Sequence, residues 1–119
     1  MNDQMKQELI EWGVDWEDAS GRFMGKDELF AKFLLKFLND KSYEQLQLAL
    51  SEKNPEEAFK ACHTLKGVTS NLSLNGFKDQ VFELTEILRA GKLEGSEELF
   101  AQIKDKYVQI IEILKKYEE

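Results

Sequence analysis

The chain has 119 residues, with 16 lysines and arginines against 23 aspartates and glutamates and a formal charge of −7. That length holds one domain, and the acidic balance leaves no basic footprint for nucleic-acid phosphates or an anionic bilayer, so neither is expected as a partner. Cys62 is the lone cysteine, residues 1–6 carry no basic stretch leading into an apolar one, and residues 33–38 are too few to span a bilayer; no disulfide, signal peptide or membrane span is therefore expected, and the chain is placed in the cytoplasm.

Apolar residues recur at helical spacing and no period-two alternation appears, so every element is read as a helix. A short first helix over residues 3–12 stops at Gly13, which serves as a left-handed cap. Asp15 caps a second short helix with Gly25 near its end. A third begins at Asp27 and turns Phe30, Phe33, Leu34, Phe37 and Leu38 inward, with Lys32 and Lys36 outward. The pattern weakens at residues 39–42, where Ser42 and Gln45 read as a capping box. It resumes at Tyr43, Leu46, Ala49 and Leu50, and fits one kinked helix as well as two.

Asn54-Pro55-Glu56-Glu57 is a helix start: an asparagine cap, proline at the first position, and acidic side chains at the positive dipole end. The helix that follows runs to about Ser73 along a seam of Ala58, Ala61, Leu65, Val68 and Leu72. After a short Leu74-Asn75-Gly76 connection, the next helix buries Phe77, Val81, Leu84 and Leu88 and ends at Gly91. Gly95-Ser96 opens the last, with a seam of Leu99, Ile103, Tyr107, Ile110, Leu114 and Tyr117. The expected fold is all-α: an antiparallel up-down-up-down four-helix bundle with two short N-terminal helices packed on it, one domain over residues 1–119.

At about 100° per residue, His63 lies about 160° from Leu65, so it points outward, and Lys66 and Ser70 share its side of the helix at about 100° and 140°. Phe59, Lys66, Gly67 and Ser70 neighbour it at surface spacings of three, four and seven residues. Imidazole is a nucleophile at neutral pH because one ring nitrogen is unprotonated. Phosphoryl transfer asks a protein chiefly for positioning and charge stabilisation, which Lys66 can supply. Gly67 costs its helix about 1 kcal/mol relative to alanine; close helix packing or clearance for a partner's surface would account for it.

Residues His63-Thr64-Leu65-Lys66-Gly67, followed by Asn71-Leu72, resemble the His-x-Leu-Lys-Gly signature of histidine-containing phosphotransfer (HPt) domains of two-component phosphorelays. The resemblance extends upstream to Gly13-Val14-Asp15, Phe23-Met24-Gly25 and the helix of residues 27–40, and downstream through Leu84 to Gly91. Ser73 departs from it, since the family commonly has glycine after the Asn-Leu pair. The resemblance implies a four-helix bundle with the histidine exposed midway along one helix. It also implies reversible exchange of a phosphoryl group between His63 and an aspartate of response-regulator receiver domains, a hybrid sensor kinase among the partners. No ATP-dependent kinase activity is implied, and no G-x-x-x-x-G-K or G-x-G-x-x-G loop is present. No cofactor is expected in this chain, the Mg2+ sitting on the receiver. Members often bond the other imidazole nitrogen from the neighbouring helix; Thr85, Glu86 and Arg89 are the candidates here, Thr85 fitting the spacing best with a shorter side chain than usual.

Lys60, Lys66, Lys78 and Arg89 could form a basic zone around His63 that would steer an acidic receiver site. An adaptor bundle that docks signalling partners without chemistry is the main alternative. A metal-binding bundle is disfavoured because Lys60 stands where a Glu-x-x-His pair needs its carboxylate. A sensor-kinase dimerisation domain would need an ATP domain in the same chain. A monomer is expected.

Overall fold

Starting and stopping signals in the sequence set the helices. The computed structural model describes residues 1–118, and among these the elements are α1 (Asp3–Trp12), α2 (Trp16–Arg22), α3 (Asp27–Lys36), a 3-10 turn (Phe37–Asn39), α4 (Ser42–Ser51), α5 (Pro55–Asn71), α6 (Lys78–Arg89) and α7 (Ser96–Lys116). Asn2, Asp15 and Asn54 cap α1, α2 and α5 by accepting backbone N–H bonds, Asn54 from Glu57 at 3.1 Å. Between α3 and α4 the chain breaks into two helices. Asp40 is extended, and its carboxylate accepts both the backbone N–H of Ser42, at 3.1 Å, and the Ser42 hydroxyl. That carboxylate caps α4 in place of the Ser42–Gln45 box read from the sequence.

The core runs through α4, α5, α6 and α7, which pack in that order. Leu46, Leu65, Leu84, Ile103 and Ile110 are wholly buried. Tyr43 ties α4 to α7 by an edge contact with Phe100 at 5.3 Å and a contact with Tyr107, which also receives Phe37 at 5.9 Å. The N-terminal helices cover this core from outside: α1 lies on α7, where the Trp12 indole donates to the Lys106 carbonyl at 2.9 Å, and α2 packs on α3 through Trp16 and Phe30. Phe33, expected inward, is 39% exposed; Phe30 and Leu34 take the buried positions of α3, and the Phe33 ring sits at the edge against Phe23.

One end of the molecule is closed by two loops in backbone contact. Gly13, at φ +130°, leaves no room for a side chain, since a Cβ there would lie 2.6 Å from the Gly76 Cα; one on Gly76 would lie 2.7 Å from the Trp12 carbonyl. Val14 and Leu74 form an isolated antiparallel bridge, and the Asp15 N–H donates to the Ser73 carbonyl at 3.0 Å. The helix of the His63 motif ends at Asn71, two residues earlier than expected. Ser73 follows at φ +56°, the left-handed turn that glycine would take most easily, and its hydroxyl donates to Asp18 at 2.6 Å.

Candidate functional site

α5 is pinned by its inner face. Ala58, Ala61, Cys62, Leu65 and Thr69 are buried there, and Val68, counted in the expected seam, is half-buried. With that arc turned inward, His63 is exposed on the opposite side. Side chains on a helix lean toward its N-terminus, and the imidazole accordingly stacks on Phe59, one turn earlier, with ring centroids 5.7 Å apart and planes 30° from parallel. On the C-terminal side of His63 lies Gly67. A Cβ built on Gly67 would meet nothing within 4 Å, which removes close helix packing as the reason for the glycine.

Two groups from α6 flank this strip. The Arg89 guanidinium rests over the Phe59 ring at 4.9 Å and donates from Nε to both carboxylate oxygens of Glu86, at 3.3 and 3.2 Å. On the other side Phe82 carries two cations, Lys66 Nζ at 4.7 Å and Lys78 Nζ at 5.6 Å from its ring centre. Sequence reading passed over Phe82, although Lys78 and Phe82 stand one turn apart and would share a helix face. Ser70 is half-buried and, with Phe82 and Lys78, lines a cleft that reaches Asp18 and Arg22 of α2.

Thr85 corrects the expected orienting bond. It is wholly buried; its hydroxyl donates to the Val81 carbonyl at 2.7 Å and lies 3.2 Å from the Cys62 sulfur. A threonine hydroxyl can satisfy itself on the carbonyl four residues back, so this side chain turns into the core and leaves the imidazole alone. Glu86 and Arg89 are paired with each other and Arg89 also lies over Phe59, and His63 has no side-chain hydrogen bond among the described residues. Burial pushes the Cys62 thiol up to about 11, opposed by the Thr85 contact and the charge of Lys66, so the sulfur stays protonated and unreactive.

The basic zone is only partly available. Lys60 is paired with Glu57 at 3.3 Å and Arg89 with Glu86 at 3.2 Å, while Lys66 and Lys78 gather on Phe82. Among the described residues no group of three or more His, Cys, Asp or Glu side chains could hold a metal ion, and no helix is long and apolar enough to cross a membrane.

The arrangement is an exposed histidine with a cleared space on one side, an aromatic ring on the other and a lysine within one turn. A family model described as Hpt domain matches residues 37–113, which take in the 3-10 turn, α4 to α6, most of α7 and the whole His63 motif. No curated protein and no solved structure matches the chain. The match spans well over half of the sequence and agrees with the resemblance read in the motif: the chain belongs to the Hpt-domain family, whose members work in two-component phosphorelays with response-regulator receivers.

Proposed function

We propose that this protein is a phosphorelay intermediate that carries a phosphoryl group on His63 and exchanges it reversibly with an aspartate of receiver domains. An unprotonated ring nitrogen of His63 attacks the phosphorus of the aspartyl phosphate. The N–P bond forms as the O–P bond breaks, the aspartate leaves as carboxylate, and the reverse step returns the group. Lys66 leaves the Phe82 ring to pair with the phosphoryl oxygens; Mg2+ belongs to the receiver, and this chain uses no ATP of its own. Phe59, Ser70, Glu86 and Arg89 contribute to the surface on which the receiver docks. The domain acts in the cytoplasm as a monomer, without nucleic acid, with α4 to α7 running alternately up and down so that the α5 face stays open.

The observation that carries this reading is the empty space over Gly67. A mid-helix glycine costs stability, and among the described residues nothing lies within 4 Å of a Cβ placed there; beside an exposed histidine, the occupant is a partner's surface. Incubation with phosphorylated receivers should label the protein with a phosphate that is stable to base and labile to acid, and His63→Gln should abolish the label. Stable binding to receivers without label would establish the adaptor reading, and neither label nor binding across a full set of receivers would refute both.

A further inference from the structure

We infer that Phe59, clamped by Arg89 and Glu86, is the positioning residue for the His63 imidazole, replacing the hydrogen bond that the buried Thr85 does not make. The inference rests on the phosphotransfer reading above.

An exposed histidine turns about two side-chain bonds, and transfer requires its attacking nitrogen to be held on line with phosphorus. Among the described residues no side-chain hydrogen bond holds it, and Thr85 is wholly buried and engaged with Val81 and Cys62. The ring is held by its face instead, at 5.7 Å and 30° from Phe59, within the range where aromatic pairs attract. Phe59 is itself restrained. It is half-buried, Arg89 lies over its ring at 4.9 Å, and Glu86 fixes the guanidinium at 3.2 Å. The Glu86–Arg89–Phe59–His63 series thus carries order from α6 to the imidazole. It covers the side of the ring toward the N-terminus of α5, keeps the nitrogens at the ring edge open to the phosphoryl group, and leaves the Gly67 side for the partner's surface.

Phe59→Leu keeps an apolar side chain and removes the aromatic face; Phe59→Tyr restores the face. Two readouts separate positioning from docking or folding. In the NMR spectrum, the His63 ring protons of the wild type should show the upfield shift of a stacked ring, lost in Phe59→Leu and regained in Phe59→Tyr. In the transfer assay, phosphorylation by the small donor phosphoramidate, which needs no docking surface, should slow by about 2- to 10-fold in Phe59→Leu, the range an aromatic contact supplies, and recover in Phe59→Tyr. Arg89→Met should give a smaller loss of both signals. If phosphoramidate labels Phe59→Leu at the wild-type rate, or the His63 protons show no stacking shift in the wild type, Phe59 does not position the ring. A wild type that takes no label from phosphoramidate or receivers would sink the phosphotransfer reading, and the positioning role with it; a labelled wild type with an indifferent Phe59→Leu overturns the positioning role alone.

Discussion

Replacing Gly67 separates folding from function, because its site is open on the folded protein. The residue lies in the interior of α5, it is not among the glycines with positive φ, and a Cβ there meets nothing within 4 Å. Gly67→Ala therefore adds a methyl group to open space and removes backbone freedom from the unfolded chain. The fold should gain about 0.5–1 kcal/mol, a rise in melting temperature of about 2–4 °C for a domain of this size. In urea the midpoint should move up by about 0.3–0.7 M with an unchanged slope. Gly67→Glu should keep most of the helix gain and yet block exchange with receivers, because its side chain fills the space the partner needs, while labelling by phosphoramidate survives. Both variants can be measured by circular dichroism on denaturation and by transfer kinetics on the same samples. A fall in stability for Gly67→Ala would mean that the space is not open. Receiver exchange at the wild-type rate in Gly67→Glu would remove the reason given for the glycine.

Three further outcomes are expected. His63→Ala should abolish labelling while changing stability by less than about 0.5 kcal/mol, as for other exposed positions, whereas the buried Leu65→Ala should cost about 2–5 kcal/mol on the same denaturation curve; equal losses would misplace His63. Thr69→Val should raise stability by about 1 kcal/mol, because the Thr69 hydroxyl is buried with no partner among the described residues and valine replaces it at similar volume; a loss would reveal a bond made through water. The Asp18 carboxyl is held below its ordinary range first by the Ser73 hydroxyl and then by Arg22. A depressed carboxylate stabilises the fold above its ordinary titration range and loses that contribution as pH falls through the depressed value, so acid titration of wild type and Ser73→Ala should show a smaller acid-side loss in the variant, and identical pH profiles would refute the coupling.

The sequence showed most of the helical frame because the caps are local. Asn54 with Pro55, Asp15 and the stop at Gly13 act within a turn of themselves, and each appears where composition placed it. What it hid depends on choices between near-equal partners. Ser42 offered a capping box, yet the neighbouring Asp40 carboxylate is the stronger acceptor and takes the position. The heptad seam of α5 located the inner face but not its width: Cys62 and Thr69, small and amphipathic, are buried beside it while Val68 is only half so. Thr85 was ambiguous for the same reason, since a threonine can face water or close its own hydroxyl on the preceding turn, and only packing against Cys62 decides. The spacing of Lys78 and Phe82 offered one cation for that ring, but only the packing of α5 on α6 brings Lys66 over it as well.

The segment before residue 37, outside the family match, has a physical task at the end of the site helix. The turn after α5 demands a left-handed residue. In a residue with a Cβ that conformation costs about 1–2 kcal/mol, and the family commonly meets the demand with glycine. Here Ser73 takes it, and α2 supplies what offsets the strain: the Asp18 carboxylate accepts the Ser73 hydroxyl at 2.6 Å, and the Asp15 N–H, at the cap of α2, takes its carbonyl at 3.0 Å. The Gly13–Gly76 contact then lets the two loops close against each other. Ser73→Gly should therefore be nearly neutral, losing the hydroxyl bond as it relieves the strain, whereas Ser73→Ala keeps the strain without the bond and should lie about 1 kcal/mol below it. If the two variants prove equally stable, the left-handed turn is not strained in serine, and the departure from glycine needs no support from α2.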